Sequence, residues 1–241
     1  MLSKNTFKQI KTPIYIGAFL LYTVLTSCTD IKDLYGTWIM AYYPDEKPDS
    51  SHVLYGYEDS FNTWTFEDDK LYTRGFKYLG GQGTFSNLEL RGNKLVDTKS
   101  ESPWQSTTIN KLPQDRILIN HINMGSSQRK VYKRLADSLK NTSEKFDLTG
   151  KTYLRNFKTW TDTVQFVNDS VFVSHAWKMG RGLRWERVNV NGFDILFTDI
   201  YPPFVLKKKV GNKIYVSTFD RKKEDYILEE INYDKVLQYN D

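Results

Sequence analysis

"NTWTFEDDKLYT" (residues 62–73) and "DTVQFVNDSVFV" (residues 162–173) lie over one another without a gap. Thr63, Phe66 and Asp69 match Thr163, Phe166 and Asp169, and Leu71-Tyr72 answers Val171-Phe172. In each copy, two short β-prone runs flank a turn of Asp, Asn or Ser, which is the pattern of a hairpin. The correspondence continues outward in the same order. "NLELRGNKLVDT" (87–98) resembles "RVNVNGFDILFT" (187–198), with glycine turns at Gly92 and Gly192. "TTINKLPQDRILI" (107–119) pairs with "FVLKKKVGNKIYV" (204–216), and "RKVYKRL" (129–135) with "EDYILEEI" (224–231). Upstream, "KDLYGTW" (32–38) returns as "FDLTGKTY" (146–153). A repeat that holds its order over this length implies two copies of one folding unit.

Each copy offers eight strands. In the first they fall near 36–43, 60–67, 70–76, 82–90, 93–98, 105–112, 115–122 and 128–134. In the second they fall near 150–156, 162–167, 170–176, 182–190, 193–199, 203–210, 213–219 and 224–231. Most neighbours are separated by two to six residues carrying Gly, Asn, Asp or Pro, which suits hairpins and is far too short for parallel crossovers. An eight-stranded meander removes its exposed edges by closing into an up-and-down barrel. The expected fold is therefore all-β: two tandem small eight-stranded antiparallel barrels, at 28–135 and 147–241, joined by a short helical linker at 136–146, where Leu135 and Leu139 stand at helical spacing. Fourteen Phe, sixteen Tyr and six Trp, 15% of the chain, agree with a pleated, half-buried fabric.

The first 27 residues read as a targeting segment: Lys4, Lys8 and Lys11 precede the uncharged stretch "IYIGAFLLYTVLT". Thirteen residues of helix span about 20 Å, short of the roughly 30 Å hydrocarbon core. Removing three lysines and no acid lowers the formal charge from +5 to +2, so nucleic acid is not an implied partner. "LTSC" (25–28) resembles the bacterial lipobox. That resemblance implies cleavage before Cys28, acylation of its thiol, and a lipoprotein anchored in the bacterial envelope, with the outer membrane expected and the leaflet open. Two or more acyl chains suffice for stable anchoring. The competing reading is a plain secretory signal with a chance cysteine. Cys28 is the chain's one cysteine, which excludes disulfides and cysteine metal sites from the mature fold.

Gly36-Thr37-Trp38 on the first strand resembles the Gly-x-Trp signature of lipocalins. With the lipobox and the Tyr-rich barrel, it resembles lipocalin-like lipoproteins of Bacteroidetes. The resemblance implies that Trp38 closes one end of the barrel and that Arg134, on the last strand, packs across its ring, a cation–π contact of about 0.5 to 2 kcal/mol. The second copy departs: the aromatic at Tyr153 comes one place late after Gly150, and Glu229-Glu230 stand where a basic residue is expected. A contact from Lys151 to one of these glutamates would do the closing there. Asp137-Ser138-Leu139 resembles the O-glycosylation triplet of the same bacteria, with Ser138 the plausible acceptor; Asp162-Thr163-Val164 and Asp169-Ser170-Val171 match it inside or beside predicted strands.

No catalytic, metal or cofactor site is indicated. His52, His121 and His175 are isolated; His175 reads as a structural residue on an apolar strand face. Asp68-Asp69 suits a hairpin turn, Gly80-Gly81-Gln82-Gly83 lacks the lysine and helix of a phosphate loop, and Lys207-Lys208-Lys209 suits a solvated edge. Barrels with this many large inward side chains are expected to be mostly filled. Two non-enzymatic readings follow. One is a binding module for a small apolar or sugar-like ligand. The other is a protein-interaction lipoprotein, an envelope assembly component or an immunity protein against a secreted toxin, using the loop "PDEKPDSSHVLYGY" (44–57), which has no counterpart in the second copy. A solvent-open barrel cavity of several hundred Å³ would favour the first.

Overall fold

The computed structural model describes residues 30–45, 62–78, 82–99, 107–123, 126–141, 146–156, 161–175, 182–199, 202–219, 221 and 225–232, with the side chains of 122, 123, 126 and 127 excepted. The targeting segment, Cys28, His52, most of the 44–57 loop, Gly80, Gly81 and Trp177 lie outside these residues. The described chain is all-β. The first copy contains β1 (Gly36–Tyr42), β2 (Asn62–Glu67), β3 (Lys70–Gly75), β4 (Gln82–Phe85), β5 (Leu88–Arg91), β6 (Lys94–Asp97), β7 (Thr107–Leu112), β8 (Arg116–Asn123) and β9 (Ser126–Arg134). The second contains β10 (Lys151–Asn156), β11 (Thr161–Phe166), β12 (Val171–Ser174), β13 (Leu183–Val190), β14 (Phe193–Thr198), β15 (Phe204–Val210), β16 (Lys213–Ser217) and β17 (Tyr226–Ile231).

β10 to β17 form a closed antiparallel barrel, β10 pairing with both β11 and β17. Its turns follow from local chemistry. Asn191 and Gly192 both take positive φ, at 52° and 87°, the two-residue geometry whose twist matches antiparallel strands.

The first copy runs β4-β3-β2-β1-β9-β8-β7-β6-β5. The single strand expected at 82–90 is broken at Ser86-Asn87 because Asn87 adopts φ 60°, a left-handed conformation that Asn tolerates better than most residues. β4 and β5 are two halves of one kinked strand. The first half pairs with β3 and the second with β6. Across the kink, Leu88 N donates to Asp69 O, and Thr98 N to Asn87 O. At the like junction of the second barrel the unbroken β13 makes two similar bonds, Trp185 N to Ser170 O and Asp199 N to Arg184 O, three residues earlier along β13 than the sequence correspondence gives.

Two strands are buried on both faces. On β1, Trp38 and Met40 point inward with Trp64, Phe66 and Tyr132, as the pairing register requires, while Thr37, Ile39 and Ala41 are buried on the other side. On β14, Leu196 belongs to the second barrel's core, whereas Phe193, Ile195 and Phe197 join the first barrel's buried cluster, together with Val205 and Phe219. The outer walls of the barrels therefore pack face to face, as sheets in a sandwich do. Phe76 stacks on Phe197 with ring centroids 6.3 Å apart. Asn191 Nδ2 donates to Thr37 Oγ1 (3.3 Å), and Arg221 Nη2 donates to the carbonyls of Tyr43 and Pro44 (2.5 and 2.6 Å).

Among the described residues the linker holds one 3-10 turn, Asp137–Leu139, and no α-helix. Its polar residues leave too narrow an apolar stripe to bury a longer one. β14 pairs with β15 only at Phe204 and Val205, so Lys207 to Lys209 run on beside β16 alone, with Lys208 exposed, as a solvated edge requires. His175 stands exposed at the end of β12, and the inward face of that strand carries Phe172 and Ser174 instead.

Candidate functional site

Trp38, Arg134 and the turn Ile31–Leu34 come together at one end of the first, nearly closed barrel. Asp30 caps the 3-10 turn Ile31–Leu34, its side chain accepting from Lys32 N (3.1 Å) while Asp33 Oδ2 accepts from Asp30 N (3.2 Å). This turn places Leu34 O where Trp38 Nε1 donates to it (2.6 Å). The Arg134 guanidinium lies 4.6 Å above the Trp38 ring and Nη2 donates to Asp33 O. Lys111 Nζ meets Asp33 Oδ2 at 2.8 Å; that hydrogen bond, with the charges of Lys111 and Arg134, holds the Asp33 carboxyl below its ordinary range.

The register explains the late aromatic of the second copy. Trp38 pairs with Trp64 and Arg134, and Tyr153 pairs with Val164 and Glu230. Lys151 therefore takes the sheet position of Gly36, Tyr153 that of Trp38, and Glu230 that of Arg134. The closing charge is inverted. Glu230 Oε2 is held by Lys151 (3.3 Å) and Lys209 (3.1 Å). Burial raises its pKa, but the hydrogen bonds and charges of the two lysines outweigh this and leave it below the ordinary value. Beside it Arg187 grips Asp194 through Nε and Nη2 (2.8 and 2.6 Å), lies 4.2 Å over the Phe146 ring and donates to the Phe146 carbonyl. Asn141 Nδ2 also donates to Asp194 (3.2 Å). The linker thus caps this end of the second barrel.

Toward the other end, Arg155 Nη2 donates to Asp162 Oδ2 (2.5 Å) and Ser174 Oγ donates to the same oxygen (2.8 Å), all three side chains buried among the inward residues of β10 to β12. In the first barrel, His121 Nδ1 and Thr107 Oγ1 lie 2.9 Å apart. Burial, with the positive charge of Lys130, keeps His121 below its ordinary pKa. The rest of both interiors is occupied by large buried side chains, among them Trp38, Phe66 and Tyr132 in one and Tyr153, Phe166, Phe172 and Leu196 in the other.

Two spaces lie where the barrels meet. A polar groove of 530 Å³ runs between Thr65, Tyr72 and Thr84 on one barrel and Asn189 to Asn191 on the other. A more sheltered crevice of 630 Å³ lies beside the linker. Leu135, Leu139 and Phe219 supply its apolar surface, and Arg116, Lys133, Arg134 and Lys207 face Asp115 and Asp225 around it. Lys207 pairs with Asp225 at 2.9 Å. The Arg116 guanidinium lies over the Tyr42 ring (5.6 Å) and that of Arg134 over Trp38. Sequence reading marked Arg134 and Ser138, both of which line the crevice, but missed Arg116, Lys207 and Phe219, which come from three separate strands or loops and share no local pattern.

Among the described residues no three His, Cys, Asp or Glu side chains are grouped to hold a metal ion, and no helix is long and apolar enough to cross a membrane. Comparison with protein families, curated proteins and solved structures finds no match to this chain.

Proposed function

We propose that the chain is a non-catalytic binding module of the bacterial envelope, an outer-membrane lipoprotein anchored through Cys28 and built from two lipocalin-like barrels. Its ligand sits in the crevice between the barrels and not within either. The 630 Å³ crevice carries this reading. It lies within the roughly 300 to 1,000 Å³ typical of ligand sites and combines an apolar surface with a few charged groups. Four cations against two carboxylates select a ligand with an apolar body and a negative group. Ser138 is exposed on the rim, an accessible acceptor for the O-glycan that its triplet suggests.

Native mass spectrometry of the protein purified from its own envelope is the test. A co-purifying small molecule should be retained by the unaltered chain and lost from Arg116→Ala/Lys207→Ala. Equal retention by both would overturn the crevice as its site. Globomycin or Cys28→Ala should leave an unprocessed form, and normal acyl labelling of the mutant would remove the anchor from the proposal. The filled barrel interiors favour one second reading, a protein-interaction lipoprotein; recovery of a stoichiometric protein and no small molecule would decide for it.

A further inference from the structure

We infer that the crevice takes the anionic head and upper acyl chain of a lipid from the leaflet in which the protein is anchored. The inference rests on the crevice and Cys28 readings above and adds the class and source of the ligand.

Distance along the chain is the first argument. Cys28 precedes Asp30 by two residues, at most about 7 Å of extended chain. Asp30 to Asp33 is one 3-10 turn, roughly 6 Å at about 2 Å per residue. Asp33 O is bonded directly to the Arg134 guanidinium, which lines the crevice. An acylated Cys28 would therefore stand within about 15 Å of the crevice wall, by the same chain geometry. From Asp30 onward the capping box, the Asp33–Lys111 pair and the fully buried Leu34 clamp the chain to the barrel. Headgroups fill roughly 5 to 8 Å on each side of the hydrocarbon, so a lipid beside the anchor stands within reach of the crevice.

Chemistry and size supply the rest. Each Lys or Arg near an anionic surface contributes about 1 kcal/mol of attraction; around its apolar patch the crevice sets four such groups, of which Lys133 and Lys207 pair with Asp115 and Asp225, leaving a net excess of two positive charges. At roughly 30 Å³ per water-sized group, 630 Å³ accommodates about twenty non-hydrogen atoms. That suffices for a headgroup and the first part of one chain, but not for a whole two-chain lipid. The remainder of the lipid stays in the bilayer, which only a site beside the membrane permits.

The test uses the full acylated lipoprotein in nanodiscs holding equal phosphatidylglycerol and phosphatidylcholine, with native mass spectrometry of what it retains on release. Expected is one phosphatidylglycerol per chain, at least tenfold preferred over phosphatidylcholine. The preference should fall about tenfold in Arg116→Ala/Lys207→Ala and partly in the milder Lys207→Gln, and hexyl phosphate offered as a soluble probe should bind far more weakly. If hexyl phosphate binds with the same dependence on Arg116 while the two lipids are retained equally, the crevice stands and the membrane source is overturned. If neither probe binds, both readings fall. An intact mass lacking the acyl chains would overturn the tether argument.

Discussion

Glu186→Gln should loosen the two barrels from each other. Glu186, on β13 of the second barrel, accepts from Arg74 Nη2 and from the backbone N–H of Lys77 (2.8 Å), both in the first. The two side chains are 10% and 19% exposed. An amide in place of the carboxylate turns an NH2 group toward one of these donors and leaves the Arg74 cation without its counter-charge. Breaking a fully buried pair costs about 3 to 5 kcal/mol and an exposed one up to about 1; for partial burial about 2 kcal/mol is expected. With a urea slope near 3 kcal/mol/M, the midpoint should drop by about 0.7 M. Tryptophan fluorescence can follow the transition, because Trp38 and Trp64 report on one barrel and Trp185 on the other. A double-mutant cycle with Arg74→Met isolates the pair, and its coupling should exceed about 1 kcal/mol. A coupling below about 0.3 kcal/mol would refute the reasoning and leave the interface to its apolar contacts alone.

Three further outcomes are expected. Asn87→Val should destabilise by about 1 to 2 kcal/mol, since a β-branched residue resists the left-handed kink, whereas Asn87→Gly should lie within about 0.5 kcal/mol of the unaltered chain in the same urea assay. Asp162→Asn should cost roughly 3 kcal/mol by stranding the buried Arg155 cation, and Arg155→Met/Asp162→Leu should recover most of it; thermal unfolding of the three variants distinguishes them. Acid should act in two stages. His121 has a folded pKa below its ordinary 6.5, so the unfolded chain takes the proton first and stability falls as pH drops below that value. His121→Gln should flatten this limb. Glu230, also lowered, contributes stability above its ordinary 4.5 that is lost as pH falls through its folded value, and Lys209→Met should shrink that second limb in unfolding curves taken between pH 5 and 3.

Strand order and the second barrel's count were legible because alternation at period two and turn residues are local signals. The kink at Ser86-Asn87 was not, since Asn sits equally well in an ordinary strand end and in a left-handed bend, and the choice depends on where β3 and β6 offer partners. Register likewise decided the second closing pair: spacing made Tyr153 look displaced, whereas pairing with Val164 puts it in the place of Trp38. β14 proved to be buried on both faces, and Thr37, Thr63 and Thr65 on the first barrel's outer wall carry no sequence sign of their burial, which comes with the packing of the two barrels.

By itself the sequence determined a duplicated all-β chain and the order of its hairpins, which depend on contacts close in sequence or on a repeated phrase; the meeting of Arg134 with Trp38 was expected from a family resemblance alone. Only the tertiary structure decided that the barrels share a wall and that a sheltered crevice lies between them. Arg116, Arg134, Lys207 and Phe219 meet there because two separately folded sheets dock, and docking brings together side chains that no spacing along the chain relates.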